Sequence, residues 1–80
     1  MDSVLTTCES LKELGNKHLG AHELQLALDN YGKAIEAAGT GNIPDDKLAI
    51  YYANRAYCHI KMENYGLSLR DANESIRLNK

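Results

Sequence analysis

Two polar residues near the start of the chain, Lys12 and Asn16, lie four positions apart. On a helix this spacing puts both side chains on one face, one turn apart. A lysine ammonium carries three hydrogen-bond donors, and an asparagine amide adds donors without a charge. Because such groups bind carboxylates, with roughly 1.5 to 3 kcal/mol for each bond to a charged group, the pair indicates a site for an acidic ligand.

A second set of such residues lies further along the chain. Asn54, Tyr57 and Lys61 recur at helical spacing after Ile50 and supply an amide, an aromatic ring and an ammonium group. An extended acidic peptide suits both sets, because its carboxy terminus and a neighbouring Asp or Glu each present two oxygens. Two of these residues have alternative roles. Asn54 would instead bond a backbone carbonyl between repeats, and Tyr57 would instead form part of the floor of the surface that receives the peptide. Lys61 is expected to attract acidic tails from the periphery.

Other reactive residue types do not form a catalytic or metal-binding pattern. A predicted turn separates His18 from His22, and the adjacent residues Cys58 and His59 would point about 100° apart on a helix. Cys8 and Cys58 lack the close spacing of zinc and redox motifs, and free thiols are typical of a reducing cytoplasm. We therefore expect a cytoplasmic protein that is not an enzyme and uses no metal or cofactor.

Charge and hydropathy exclude two further classes of partner. Nine basic and eleven acidic residues give a formal net charge of -2, which provides no excess positive charge to attract nucleic acid. The apolar stretches are far shorter than the ~20 residues that cross a bilayer. We expect neither nucleic acid nor membrane among the partners.

Four helix-length segments must position the candidate residues. The spacing of apolar side chains predicts helices at about 7–19, 23–38, 44–62 and 65–78. No stretch alternates apolar and polar residues with the period of two that a strand requires. The sequence therefore predicts an all-α fold.

Local signals predict the ends and the buried faces of these helices. Thr6 and Glu9 have the spacing of a capping box at a helix start, and Gly39 is predicted to end the second helix in a left-handed conformation. Arg55 is expected to pair or pack between helices. The buried stripes are predicted to comprise Leu11, Leu14 and His18 in the first helix and Tyr65, Leu69, Ala72 and Ile76 in the fourth.

The chain also contains an internal repeat. A shift of 41 positions aligns Leu28 with Leu69 and Ile35 with Ile76. Tetratricopeptide repeats have a period of about 34 residues, and the excess matches the linker that contains Gly39 and Pro44. Self-similarity of this kind is typical of stacked helical repeats.

The sequence resembles a pair of tetratricopeptide repeats (TPRs). The matching residues are Leu14-Gly15, Ala27, Tyr31 and Ala34 in the first repeat, and the segment from Tyr51 to Ala56 with Tyr65 and Ala72 in the second. The resemblance implies one domain over residues 1–80, with repeat one at about 8–41, a linker insertion at about 42–48 and repeat two at about 49–80. It implies antiparallel helix pairs stacked into a superhelix, with the first helix of each pair on the concave surface.

A narrower resemblance concerns function. Lys12-Glu13-Leu14-Gly15-Asn16 and Asn54-Arg55-Ala56 are similar to the carboxylate-clamp subset of the family, which binds the acidic carboxy-terminal tails of heat shock protein 70 and heat shock protein 90. This resemblance implies that Lys12, Asn16 and Asn54 hold the terminal residue of such a tail. In that subset a lysine and an arginine of a third repeat complete the clamp. The implied function is that of a co-chaperone-type adaptor.

A self-associating scaffold is the alternative function. Within the eighty residues no fifth helix is predicted to cover the apolar stripe of the fourth helix. Either a further helix outside this sequence or a second copy in a homodimer is then expected to cover it. A monomer that binds acidic tails would favour the adaptor, whereas a dimer indifferent to such peptides would favour the scaffold.

Overall fold

The computed structural model describes residues 3–79, which form four α-helices and no strand. The prediction of an all-α fold is confirmed. Consecutive helices pack on one another, so that α1 with α2 and α3 with α4 form two helical hairpins that meet where α2 packs against α3. The helices are α1 (Ser3–Gly20), α2 (Leu24–Ala38), α3 (Asp45–Lys61) and α4 (Tyr65–Leu78).

Two clusters of buried side chains hold the hairpins together. Most members are small, which lets the helix axes approach closely, and two fully buried tyrosines supply most of the volume. The first cluster comprises Cys8, Ala34, Ala38 and Tyr51, and the second comprises Ala27, Tyr31 and Cys58.

Gly15 lies where α1 closely approaches α2. A Cβ atom at this position would lie 2.6 Å from Cε1 of the buried Tyr31 ring. Only glycine leaves room for the ring there. Because the ring lies against Gly15, the Tyr31 hydroxyl reaches the side chain of Asn16, the next residue of α1.

The first helix begins at Ser3, so the prediction of a capping box at Thr6 and Glu9 is wrong. Val4 packs against the first cluster, and its side chain lies directly against Gly41 in the linker. Burial of Val4 favours the additional helical turn. Glu9 is therefore an interior residue of α1, and its carboxylate is available for contacts with other helices.

The buried face of α1 also differs from the predicted stripe, because Leu14 is exposed. The face that packs on the other helices is centred on Cys8 and Gly15, the two buried residues of α1. Its members are Val4, Cys8, Leu11, Gly15 and Leu19.

The two turns inside the hairpins have the same unusual backbone conformation. His22 has φ of 61° and Glu63 has φ of 63°, and these positions are related by the internal repeat. Gly39 instead has φ of -69°, so the predicted left-handed end of α2 is wrong. The chain leaves α2 through a turn in which Thr40 Oγ1 donates a hydrogen bond to the carbonyl of Ala37.

The apolar stripe of α4 faces away from the core. Tyr65, Leu69 and Ile76 are 64, 62 and 70% exposed. The stripe is therefore not buried against α3, and its exposure agrees with the expectation that no helix of residues 3–79 covers it. The side of α4 that packs on α3 is polar and includes Ser68 and Asp71. None of the helices formed by residues 3–79 has the length and apolar character needed to cross a membrane.

Candidate peptide-binding site

Helices α1 and α3 together present a polar surface, which we call the α1–α3 face and define by Glu9, Lys12, Asn16, Asn54, Tyr57 and Lys61. Two hydrogen bonds join the helices across it. The Tyr51 hydroxyl donates to Oε2 of Glu9 at 2.6 Å, and Nδ2 of Asn54 lies 3.4 Å from Oδ1 of Asn16. Polar groups from both hairpins therefore meet on one surface.

The amide of Asn16 is oriented by two donors. Its Oδ1 accepts hydrogen bonds from the Tyr31 hydroxyl at 2.5 Å and from Asn54. Burial raises the pKa of Tyr31 to about 12, with Cys58 adding to the effect, so this hydroxyl remains a donor at neutral pH. Within residues 3–79 Asn16 Nδ2 donates no hydrogen bond, so the part of the amide left for a ligand is its donor.

Lys12 lies one turn before Asn16 but is already paired. Its Nζ is 3.1 Å from Oε1 of Glu9, and the side chain is only 19% exposed. The hydrogen bond from Tyr51, with Lys12 as a lesser cause, holds the pKa of Glu9 below its ordinary value, so Glu9 is a carboxylate at neutral pH. One of the three donors of Lys12 is therefore used within the protein.

Tyr57 and Lys61 form a pair of their own towards the end of α3. Lys61 Nζ lies 5.4 Å from the centroid of the Tyr57 ring, a distance at which an ammonium is attracted to the ring face. Both side chains are exposed. The structure thus brings Lys12, Asn16 and Asn54 together and leaves Tyr57 and Lys61 as a neighbouring aromatic and cationic pair.

Sequence reasoning missed two residues that shape the α1–α3 face, namely Glu9 within it and the buried Tyr31 beneath it. Glu9 was interpreted as a helix cap, although its position three residues before Lys12 is the spacing of a helical ion pair. Tyr31 matches the repeat pattern, and nothing in the sequence indicates that its hydroxyl reaches Asn16. Asn54 was expected to bond a backbone carbonyl as its alternative role, but its amide bonds the side chain of Asn16.

The opposite side of α3 contains a structural ion pair. Arg55 donates to both carboxylate oxygens of Asp71, at 2.7 and 2.9 Å, and its guanidinium lies over the Tyr52 ring. The expectation that Arg55 pairs between helices is confirmed. His59 Nε2 is 3.7 Å from the same carboxylate, and burial, opposed by Asp71, lowers the pKa of His59.

The remaining histidines and cysteines are held in other ways. His18 Nδ1 lies 2.8 Å from the carboxylate of Glu23. Cys8 and Cys58 are buried free thiols, and burial raises the pKa of both. No group of three or more His, Cys, Asp or Glu in the described part of the chain is arranged to hold a metal ion.

Three curated proteins are similar to most of this chain. Protein unc-45 homolog B of Danio rerio is 46% identical over 67 residues, which is 82% of this chain. Serine/threonine-protein phosphatase 5 of Mus musculus is 37% identical over 79 residues, or 99% of this chain. Small glutamine-rich tetratricopeptide repeat-containing protein 2 of Saccharomyces cerevisiae is 36% identical over 70 residues, or 88% of this chain. No family model matches the chain.

The chain spans only a small part of these relatives, namely 7, 14 and 18% of their respective lengths. One of them is named for its tetratricopeptide repeats, and two stacked helical hairpins are the arrangement that the repeat produces. The fold and the similarities together support a tetratricopeptide-repeat domain. The chain is accordingly a helical repeat module of the kind that mediates protein interactions.

Proposed function

We propose that the α1–α3 face binds the acidic carboxy-terminal tail of heat shock protein 90 or heat shock protein 70, and that the protein is a co-chaperone-type adaptor. The hydrogen bond between Asn16 and Asn54 is the main support. Because it joins one residue of each repeat, a single carboxylate could reach both amides. Lys12, one turn away on α1, adds the only full positive charge of this group.

The chemistry of the three residues suits a chain terminus. Asn16 Nδ2, the second Nδ2 hydrogen of Asn54 and the remaining donors of Lys12 provide three bonds to two carboxylate oxygens. At roughly 1.5 to 3 kcal/mol each, three such bonds total about 4.5 to 9 kcal/mol, an affinity between roughly millimolar and micromolar. Lys61 and Tyr57 would then contact residues further from the terminus. We place this function in the cytoplasm, where thiols such as Cys8 and Cys58 stay reduced.

A titration monitored by backbone amide chemical shifts tests this proposal. The probe is a short peptide ending in Glu-Glu-Val-Asp, used as the free acid and as the carboxy-terminal amide. We expect shifts near Lys12, Asn16 and Asn54 with the free acid and much weaker shifts with the amide. The proposal is wrong if both peptides leave these signals unchanged at millimolar concentration.

Single substitutions then locate the binding site. Asn16→Ala and Lys12→Ala should each weaken binding about tenfold or more, the effect of losing one bond worth at least roughly 1.5 kcal/mol. Lys17→Ala is the matched control, because Lys17 is exposed on the same helix and carries the same charge. Equal losses in the control and in Lys12→Ala would mean that general charge attraction, rather than a clamp, binds the peptide.

Self-association is a second candidate function, favoured by the exposed stripe of α4. The internal repeat relates Leu69 to Leu28 and Ile76 to Ile35, and the latter residues of α2 pack against the two core clusters. A second copy that covered α4 would bury a comparable apolar stripe. Sedimentation velocity over a hundredfold dilution series tests this: a dimer abolished by Leu69→Glu supports it, and a monomer throughout excludes it.

A further inference from the structure

The carboxylate of Glu9 occupies a position where an acidic ligand would itself bind. Oε1 of Glu9 lies 3.1 Å from Nζ of Lys12, while Oε2 accepts a hydrogen bond from Tyr51 at 2.6 Å. Tyr51 is fully buried, so its hydroxyl points from the core towards α1. Because both oxygens are engaged, Glu9 is fixed beside Lys12.

This fixed carboxylate changes what Lys12 offers to a peptide. The ammonium and the carboxylate together carry no net charge, and a ligand carboxylate that approaches Lys12 also approaches a like charge. The charge of Lys47 on α3 also acts on Glu9, although more weakly than Tyr51 and Lys12, because it helps to lower the pKa of this carboxyl. Asn16 and Asn54 are uncharged, so they do not replace the attraction that Glu9 cancels.

We propose that Glu9 is an internal competitor for the ligand carboxylate and thereby limits both the affinity of the α1–α3 face and its preference for a free chain terminus. This inference rests on the proposed function. It adds that Lys12 must be shared between Glu9 and the ligand when the peptide binds. In the free protein Glu9 stands in for the ligand carboxylate on Lys12.

The test is Glu9→Gln, which removes the charge and keeps an acceptor of nearly the same size for Tyr51. We expect it to tighten binding of the free-acid Glu-Glu-Val-Asp peptide by roughly two- to fivefold, the value of a helical ion pair that is still partly accessible to water. Binding of the amidated peptide should improve less, so the ratio of the two affinities should rise. Isothermal titration calorimetry at two salt concentrations measures both affinities.

Glu13→Gln is the matched control, because Glu13 is exposed on α1 and the substitution changes the net charge by the same amount. Thermal unfolding of each variant shows whether the fold is retained. A rise in the pKa of Glu9 on peptide binding, followed through its side-chain carboxyl signal, is a further expected result, because the ligand withdraws part of Lys12 from Glu9.

The outcomes separate this inference from the proposed function. If the wild-type protein binds the free acid and Glu9→Gln binds it no tighter than Glu13→Gln does, the competitor role is wrong while the clamp stands. If neither the wild-type protein nor Glu9→Gln binds the free acid, both the clamp and the competitor role are wrong.

Discussion

Replacing Arg55 by methionine should destabilise the protein more than replacing Asp71 by alanine, although both substitutions remove the same ion pair. The asymmetry follows from burial. The Asp71 side chain is 9% exposed, whereas that of Arg55 is 27% exposed and also lies over Tyr52. A carboxylate left without Arg55 is held away from water, while a guanidinium left without Asp71 has a path to solvent.

The magnitudes follow from the same geometry. Breaking a buried pair by removing one partner costs roughly 3 to 5 kcal/mol, and the partial exposure of Arg55 lowers this to about 2 to 4 kcal/mol for Arg55→Met. For Asp71→Ala we expect about 1 to 2 kcal/mol, because the stranded Arg55 is solvated and its contact with Tyr52 remains.

Urea denaturation followed by far-ultraviolet circular dichroism measures these free energies of unfolding. The double variant, with Arg55→Met and Asp71→Ala together, should be more stable than Arg55→Met alone, because it no longer contains a buried carboxylate that has lost Arg55 and is left with His59 at 3.7 Å. If Asp71→Ala costs as much as Arg55→Met, or if the double variant recovers nothing, the burial argument is wrong.

Three further predictions concern the backbone, a close contact and pH. Gly15→Ala should destabilise by roughly 1 to 2 kcal/mol, because the clash with Tyr31 outweighs the gain in helix propensity; a raised thermal midpoint would contradict this. Glu63→Gly should stabilise the protein by roughly 0.5 kcal/mol, since φ of 63° strains any residue with a Cβ. The control is Glu36→Gly at an exposed helical site, which should destabilise the protein. Because burial lowers the pKa of His59 below 6.5, the unfolded chain takes up the proton first as the pH falls. The free energy of unfolding should therefore decrease below about pH 6.5, and it should decrease less in His59→Gln than in the wild-type protein. Urea denaturation from pH 7.5 to 5 measures both.

Much of the fold could be predicted because helical periodicity is a local property of the chain. The positions of all four helices followed from apolar spacing and turn formers, and α3 begins next to Pro44 as expected. The start of α1 could not be predicted in this way, since it depends on the packing of Val4 against a linker that is distant in sequence. The capping-box spacing of Thr6 and Glu9 predicts that α1 begins near residue 7, whereas the helix begins at Ser3.

The same reasoning explains the error in α4. Periodicity correctly identified an apolar stripe through Leu69 and Ile76, but it contains no information on whether a neighbouring helix covers that stripe. The face that does pack on α3 is polar, and Ser75 Oγ donates to the carbonyl of Ala49 at 2.8 Å. Small polar residues with such partners pack as closely as alanine, which an apolar pattern does not detect.

The candidate site was predictable where it depends on repeat geometry and unpredictable where it depends on side-chain contacts. The approach of Asn16 to Asn54 follows from two repeats stacked in register. The spacing of Glu9 and Lys12 is that of a helical ion pair, but no sequence pattern shows that the buried Tyr51 hydroxyl reaches Glu9 and fixes its carboxylate. Whether the five candidate residues bind a peptide stays a prediction for the titration to test.

The packing of each helix mainly on its neighbours in sequence has a consequence for how the chain folds. Most contacts between helices join neighbours in sequence, α1 with α2, α2 with α3 and α3 with α4, and helical folds rich in such local contacts have folding times on the order of microseconds to milliseconds. The bond from Tyr51 to Glu9 joins positions 42 apart and is the kind of contact that forms late. We therefore expect Tyr51→Phe to accelerate unfolding and to leave the folding rate nearly unchanged.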